Sequence, residues 1–283
     1  MNSGGRHSLR SAVSMQGIGL HTGEPCTMTL EPAPAQTGIV FVTPGGSIEA
    51  SVDNVCGTSR CTCLRSGDAE VSTVEHVLAA LFGMRVDDAL IRVDGSELPA
   101  GDGSALPFVD LIEQAGIEPR GGEPPRIEAE LPVWVMDGEK CCIALPASGF
   151  RVTGLVSFDH PMIGEQAFSA WMSPEVFKRE IAPARTFCMA EEVEQLRAAG
   201  LGLGGREDNV LVVHGDRYSQ DLRFADEIVR HKVLDMVGDL SLIGGMPDAD
   251  VMGIRSGHAL HVALARRMLK EDPGRQTGPG QGG

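Results

Sequence analysis

Two short segments of the chain carry side chains that can bind metals and transfer protons. The first contains Glu75 and His76, and the second contains His231, Asp235 and Asp239. Two imidazoles and one carboxylate would supply three metal ligands and leave one coordination position open, which distinguishes catalytic from structural zinc sites. A carboxylate beside a ligand is suited to proton transfer. If the two segments meet in the fold, they predict a metal-dependent hydrolase.

The second segment places its polar residues on one side of a predicted helix. At 100° per residue, His231, Asp235 and Asp239 lie within about 80° of one another. A solvated helix face, with a His–Asp pair worth a few tenths of a kcal/mol, is the ordinary interpretation of such a pattern. The same spacing lets one helix offer two metal ligands, so both interpretations stay open at this point.

The other candidates also have ordinary structural interpretations. Ser72 and Glu75 fit a helix capping box ahead of an apolar helical pattern at 74–82, so Glu75 could cap this helix rather than act as a base. His76 alone is more often a satisfied histidine than a ligand, and the zinc-peptidase pattern H-E-x-x-H is absent, because position 80 is Ala. His258 opens another predicted helix, either as a helix-start histidine or as a proton donor.

The composition excludes several classes of function. The formal net charge is −15, from 24 basic and 39 acidic residues, so we expect no nucleic-acid binding. A small anionic ligand stays compatible if a few cations gather in one cleft. No apolar run approaches the roughly 18 residues of a membrane span, and the N-terminus does not resemble a secretory signal. The seven cysteines lack disulfide-like spacing, which predicts free thiols and a cytoplasmic location.

The elements that must position these residues fall into two halves. The segment 118–126 (EPRGGEPPR) is too rich in proline and glycine to continue a helix or a central strand. We therefore predict domains at 1–118 and 126–270 and a flexible tail at 271–283. Strands and helices segregate within each half, which indicates an α+β layered fold. The predicted strands are 26–30, 38–42, 89–93, 126–136, 140–144 and 150–158, and the predicted helices are 74–82, 107–115, 190–199, 225–243 and 258–269.

The chain resembles the zinc-dependent UDP-3-O-acyl-N-acetylglucosamine deacetylases of lipid A biosynthesis. Each matching stretch is weak alone, but together they follow the family's order over residues 10–270 and are highly specific. The matching stretches are GIGLHTG (17–23), CTCL (61–64), STVEH (72–76), DGSALPFV (102–109), ARTF (184–187), LGLGG (201–205), LRF (222–224), VRHKVLDMVGD (229–239) and SGHAL (256–260).

The resemblance implies an architecture, a reaction and a metal site. The architecture is two similar domains, each a β-sheet with helices, packed with the helices as a central layer. The reaction removes the N-acetyl group of UDP-3-O-(3-hydroxyacyl)-N-acetylglucosamine with water, the committed step of lipid A biosynthesis. The metal is Zn²⁺, with Fe²⁺ possible in the cell, held by His76, His231 and Asp235 next to Glu75 as general base. We expect a monomer.

The resemblance also assigns roles around the substrate. His258 would be the cationic partner of the developing oxyanion or the proton donor to the amine, Asp239 would orient it, and the Thr186 hydroxyl would assist the oxyanion. The acyl chain would lie along a βαβ insertion at 187–213. The candidate acyl contacts are Phe187, Met189, Leu196, Leu201 and Val212, and the candidate nucleotide contacts are Phe158, Lys140, Lys232 and Arg255.

Two departures from the family pattern fall at the edges of the expected substrate site. Cys188-Met189 stands where the family commonly has Gly-Phe, and Ser157 stands where an Asp is common before Phe158. Acyl-chain preference and nucleotide contacts are therefore open. Two other classes of function are weighed against the deacetylase: a non-haem Fe(II) oxygenase with a two-His, one-carboxylate triad, and a catalytically inactive binding module for UDP-sugars or acyl chains.

Overall fold

The computed structural model describes residues 5–124, 126–128 and 132–271 of the chain. The predicted tail at 271–283 lies outside these residues except for Glu271, which ends the last helix. The described strands, in chain order, are β1 (His7–Leu9), β2 (Val13–Ile18), β3 (Pro25–Pro32), β4 (Ile39–Thr43), β5 (Gly46–Glu49), β6 (Val55–Gly57), β7 (Cys63–Ser66), β8 (Ala69–Ser72), β9 (Ala89–Val93), β10 (Ile117–Pro119), β11 (Arg126–Glu128), β12 (Val133–Asp137), β13 (Lys140–Pro146), β14 (Arg151–Ser157), β15 (Glu165–Trp171), β16 (Phe187–Met189), β17 (Leu211–Val213) and β18 (Met246–Ile254).

The helices follow the apolar periodicity of the sequence. Helix α1 is buried almost all round, as expected of a helix packed between other elements rather than at the surface. The described α-helices are α1 (Glu75–Gly83), α2 (Leu106–Ala115), α3 (Pro174–Val176), α4 (Val193–Ala198), α5 (Glu227–Ser241) and α6 (His258–Glu271), with short 3₁₀ turns at Val52–Asn54 and Ala190–Glu192 and a π-helical turn at Phe177–Ile181.

Two mixed sheets have the same topology. The first has the strand order β2-β3-β9-β4-β5, and the second has the order β12-β13-β18-β14-β15. In each sheet the central strand pairs in parallel with one neighbour, β4 with β9 and β14 with β18, and the other pairs of this order are antiparallel. Helices precede and follow the central strand in both halves. The expectation of two similar α+β halves is confirmed.

The helices lie between the sheets. Helix α1 packs on α5, α5 packs on β14 and β15, and α6 packs on β12 and β13. One continuous apolar cluster joins the two sheets through these helices, from Phe41 through Leu78 and Val237 to Val152. Among the described residues, no helix combines the length and apolarity needed to cross a bilayer.

An insertion precedes the first central helix of each half. The first insertion is the three-stranded antiparallel sheet β6-β7-β8 with its loops, residues 55–72. The second insertion, residues 187–213, pairs β16 with β17 in parallel and carries α4 between them. Both insertions contribute loops near the paired helices α1 and α5.

The sequence-based boundaries are wrong at several strands. The single strand expected at 126–136 is two strands, because β11 pairs with β18 while β12 pairs with β13. Pro132, which has no N–H to donate, directly precedes β12. Four strands of the two main sheets, β2, β5, β15 and β18, were not predicted, although β18 is the central strand of its sheet.

Candidate functional site

A close crossing of α1 and α5 builds the site. A Cβ atom at Gly238 of α5 would overlap the carbonyl oxygen of Glu75, the first residue of α1. Glycine therefore permits an approach of the two backbones that any larger residue would prevent. The crossing sets the first turn of α1 beside the middle of α5 and brings the two chemistry-bearing segments together.

Three buried side chains converge at this crossing. The Nε2 atom of His231 lies 3.3 Å from Oδ1 of Asp235, and Nε2 of His76 lies 3.7 Å from the same oxygen. The imidazole rings meet edge to face with their centroids 5.1 Å apart. The three ligand atoms all lie within 4.8 Å of one another, as a metal site requires.

The protonation states of the donors suit a divalent cation. Burial lowers the pKa of His231 to about 4, and its Nδ1 lies 3.1 Å from the Ala184 carbonyl, which directs the Nε2 lone pair toward the cluster. Burial would raise the pKa of Asp235, but the interactions with His231 and Lys232 outweigh it and hold the pKa well below the usual range. Imidazole nitrogens and an ionised carboxylate fit Zn²⁺, and they also fit Fe²⁺.

Glu75 sits beside this cluster as a buried carboxylate. Burial raises its pKa, and the opposing charge of His258 only partly offsets this effect. Its Oε2 accepts the backbone N–H of Thr62 at 2.9 Å. The capping-box interpretation is wrong: Ser72 ends β8 and donates to the Ser96 carbonyl, and α1 begins without a side-chain cap. A carboxylate with a raised pKa is suited to exchange protons near neutral pH.

A second buried cluster surrounds Asp239. Its Oδ2 lies 2.8 Å from Nδ1 of His258 and 2.8 Å from Nδ1 of His261. Burial opposes the charged form of His258, but the Asp239 and Asp235 carboxylates outweigh it and raise its pKa to about 10. Burial dominates for His261 and lowers its pKa. His258 is therefore a cation at neutral pH, while His261 is a neutral partner that the sequence reasoning missed despite its i, i+3 spacing from His258.

These groups open into one cavity of ≈ 550 Å³. Glu75, His76, His231, Asp235 and His258 line part of its wall, whereas Asp239 lies behind His258. Of the residues predicted from the family resemblance for the substrate, those that also line the cavity are Thr186, Phe187, Met189, Phe158, Lys140 and Lys232.

Phe187 links the candidate metal ligands to the rest of this wall. Its ring contacts that of Phe158 at a centroid distance of 5.9 Å and that of His231 at 6.3 Å. The Lys232 ammonium lies 5.6 Å from the Phe187 ring centroid and donates to Oδ2 of Asp235 at 2.9 Å. Lys232 therefore holds the carboxylate of a candidate metal ligand as well as facing the cavity.

Four predicted contacts lie outside the cavity lining. Arg255 donates to Oε2 of Glu139 at 2.7 Å on the exposed surface. Val212 packs against the small apolar cluster that contains Leu20. The other two, Leu196 and Leu201, are half-buried within the second insertion.

The sequence reasoning also missed part of the lining. Arg60 of the first insertion and Glu192 of the second both line the cavity and form a two-bond ion pair, with N–O distances of 3.0 and 3.3 Å. His21 lines it as well, and its position in the GIGLHTG stretch was the available signal. The Arg60–Glu192 pair had no sequence signal, because 132 residues separate its members.

Comparison with known proteins identifies the relatives of this chain. The family described as LpxC, UDP-3-O-acyl N-acetylglycosamine deacetylase, matches residues 6–270. The chain belongs to this family. The curated UDP-3-O-acyl-N-acetylglucosamine deacetylase of Anaeromyxobacter sp. (strain Fw109-5) is 44% identical over 275 residues, covering 95% of this chain and 90% of the relative. The resemblance seen in the sequence is thereby confirmed.

More distant members of the LpxC family align over the same extent. The enzyme of that name from Geobacter sp. (strain M21) is 42% identical over 271 residues, covering 94% of this chain and 89% of the relative. The one from Leptospira biflexa serovar Patoc (strain Patoc 1 / Ames) is 36% identical over 277 residues, covering 96% and 92%. The similarity therefore spans both halves, including both helices of the α1–α5 crossing.

Proposed function

We propose that this chain hydrolyses the acetamide of UDP-3-O-(3-hydroxyacyl)-N-acetylglucosamine to the free amine and acetate, the committed step of lipid A biosynthesis. One observation carries the proposal: a three-ligand cluster, the buried carboxylate of Glu75 and His258, which Asp239 holds from behind, line a single cavity. The relatives' names supply the substrate. One water is consumed for each amide bond broken.

The ligand set proposed for the metal is His76, His231 and Asp235. When bound there, Zn²⁺ (or Fe²⁺) acts as a Lewis acid toward water and the acetamide carbonyl. Lys232 holds Oδ2 of Asp235, which leaves Oδ1 for the cation. The Ala184 carbonyl holds Nδ1 of His231, which leaves Nε2 for the cation.

The other residues of the site move protons and stabilise charge. Glu75 takes a proton from water as the water oxygen bonds to the carbonyl carbon. The imidazolium of His258, held by Asp239, and the Thr186 hydroxyl face the oxygen on which negative charge develops. The C–N bond then breaks as the nitrogen receives a proton, from His258 or from the proton that Glu75 accepted.

The cavity lining suggests where the rest of the substrate binds. Phe187 and Met189 offer apolar surface of the second insertion to the acyl chain. Phe158 offers a ring for the uracil, and Lys140 and Lys232 offer cations for the diphosphate, which reconciles an acidic protein with an anionic substrate. In this proposal domains 1–118 and 126–270 each supply one wall. The roles predicted for Arg255, Leu196, Leu201 and Val212, the monomeric state and the cytoplasmic location stay predictions.

The two competing functions have less support. A non-haem Fe(II) oxygenase would use the same ligand triad but has no need of Glu75 or of the His258–Asp239 pair. An inactive binding module would not need these groups either. Membership of a deacetylase family supports the hydrolase over both.

The decisive experiment measures acetate release by the purified, Zn²⁺-loaded chain from UDP-sugar substrates of several acyl lengths. We expect turnover, its loss on chelation, its return with Zn²⁺, and no metal binding in His231→Ala. A chain loaded with Fe²⁺ and given 2-oxoglutarate should not consume it. Tight substrate binding without any acetate from metal-replete protein would contradict the proposal and favour the binding module.

A further inference from the structure

Thr62 is fully buried between the two halves and has no role in the mechanism above. It lies in the Cys61-Thr-Cys63 stretch, directly before β7 of the first insertion, and does not line the cavity. Its carbonyl accepts the N–H of Val74, the residue that precedes α1. Thr62 is thereby anchored to the start of the helix that carries Glu75 and His76.

Thr62 makes one hydrogen bond to each of two carboxylates of the site. Its N–H donates to Oε2 of Glu75 at 2.9 Å, and its hydroxyl donates to Oδ1 of Asp239 at 2.6 Å. The direction of the second bond follows from chemistry, because an ionised carboxylate can only accept. The first bond stays within the first half, whereas the second crosses to α5.

The hydroxyl completes the bonding of Asp239. Oδ2 of this buried carboxylate accepts hydrogen bonds from the His258 and His261 rings, and Oδ1 accepts one from the Thr62 hydroxyl. With donors on both oxygens, the plane of the carboxylate is set, and Oδ2 is presented to the His258 ring. Without the hydroxyl, Oδ1 would be a buried, unsatisfied acceptor free to seek another donor by rotation.

We propose that Thr62 is a positioning residue, whose hydroxyl fixes the Asp239 carboxylate toward His258 while its N–H fixes the Glu75 carboxylate. The expected effect on kcat rests on the proposed function, whereas the positioning of the two carboxylates by Thr62 does not. The simpler alternative is that Thr62 only satisfies a buried carboxylate and so adds stability. The two differ in what an activity measurement and a spectroscopic measurement detect.

The kinetic test compares Thr62→Val, Thr62→Ser and Ser8→Ala. Valine keeps the shape and removes the hydroxyl, and serine keeps the hydroxyl. Ser8 is a fully buried hydroxyl that accepts the N–H of Ala33 at 2.9 Å, remote from the cavity lining, and is the matched control. We expect Thr62→Val to lower kcat about 10- to 100-fold with little change in KM, as for other residues that support a catalytic group from behind.

Thr62→Ser should recover most of that loss, and Ser8→Ala should lower the thermal midpoint without lowering kcat. Wild-type kcat in Thr62→Val would overturn the proposal, and so would an equal loss in Thr62→Val and Thr62→Ser. If the valine variant does not fold, Thr62→Ala, which leaves space rather than a methyl group at the carboxylate, takes its place in the comparison.

The second measurement needs no substrate. The ring N–H protons of His258 and His261 that face Asp239 are followed by NMR in the Zn²⁺-loaded chain. We expect these signals to shift or vanish in Thr62→Val and to stay in Thr62→Ser; unchanged signals in Thr62→Val would overturn the proposal. A wild-type chain that releases no acetate would refute the proposed function, whereas this spectrum still decides whether Thr62 holds Asp239.

Discussion

The two halves of the molecule share a frame but differ in the chemistry placed on it. Helices α1 and α5 occupy equivalent positions before the central strand of each sheet. Helix α1 carries the proposed base and one proposed metal ligand, side by side in its first turn. Helix α5 carries two proposed ligands and the Asp239 carboxylate, spaced one turn apart along one face. Neither half alone carries a complete site, so the chemistry depends on how the two frames face each other.

The insertions extend this difference to the substrate side. The first insertion is an antiparallel sheet with loops that carry Arg60 and Thr62, whereas the second is a parallel βαβ unit that supplies Phe187, Met189 and Glu192. The repeated arrangement of sheet and helices supports the cavity from both sides, and the two different insertions give the cavity walls of different structure. Changes in each half should therefore have effects of different kinds and sizes.

The largest effect is expected from the two neighbours at the start of α1. Glu75→Gln should lower kcat about 10²- to 10⁴-fold, because the amide cannot accept the proton, while the metal stays bound. His76→Ala should lower both activity and metal content. Acetate release and metal analysis of the same samples distinguish the two. Full activity in Glu75→Gln would remove the proposed base.

The second-largest effect concerns Asp239 of the other half. The pKa of His258 is raised to about 10 from an unfolded value of 6.5, so its stabilising contribution is complete below pH 6.5 and is lost as the pH rises toward 10. Asp239→Asn should move the alkaline limb of kcat/KM down toward pH 6.5. The loss of thermal stability caused by this substitution should be greatest between pH 3.8 and pH 6.5, where Asp239 is ionised and His258 is charged, and should shrink as the pH rises toward 10.

The pH profile also tests whether His258 is the cation that the reaction needs. If the alkaline limb of kcat/KM lies at the same pH in Asp239→Asn as in the wild type, the pKa of His258 does not set that limb. His261→Asn is the companion variant, because it removes the other ring that contacts Asp239 and leaves the His258–Asp239 pair. Its alkaline limb should lie closer to that of the wild type than the limb of Asp239→Asn does.

The close crossing of α1 and α5 gives the next prediction. Gly238→Ala places a methyl group against the Glu75 carbonyl and must push α1 away from α5. We expect a loss of about 1–3 kcal/mol in the free energy of unfolding, as for other overpacked sites, together with reduced activity. Gly215→Ala, on an exposed turn where a Cβ meets nothing within 4 Å, is the matched control. Equal stability of the two variants would contradict the role given to the crossing.

The sequence predicted features that depend on residues close together in the chain, and it did not predict contacts between distant residues. The face shared by His231, Asp235 and Asp239 was predictable because helical periodicity is local. Gly238 reads locally as a helix-weakening residue, and only the contact with α1 explains it. The Thr62–Asp239 bond joins residues 177 apart and had no local signal.

Local rules also misled where a tertiary feature overrode them. The Ser72 and Glu75 spacing matches a capping box. In the structure β8 runs to Ser72 and Thr73 has a left-handed backbone with φ of 59°, so α1 begins at Glu75 without a side-chain cap. The central strand β18 was missed because its half-exposed positions include Asp248 and Asp250, which are uncommon in strands.

The smallest effect is expected where the two insertions touch. Arg60 and Glu192 pair across the cavity with side chains that are 47% and 38% exposed, so solvent screens their attraction. A double-mutant cycle with Arg60→Gln and Glu192→Gln should give a coupling of about 0.2–1 kcal/mol in the free energy of unfolding. Because both residues line the cavity, the same variants should change KM more than kcat. The exposed pair Arg65–Glu70, within the first insertion alone, is the control: its removal should leave KM unchanged. A KM effect of equal size in both pairs would show that bridging the two insertions is not what matters.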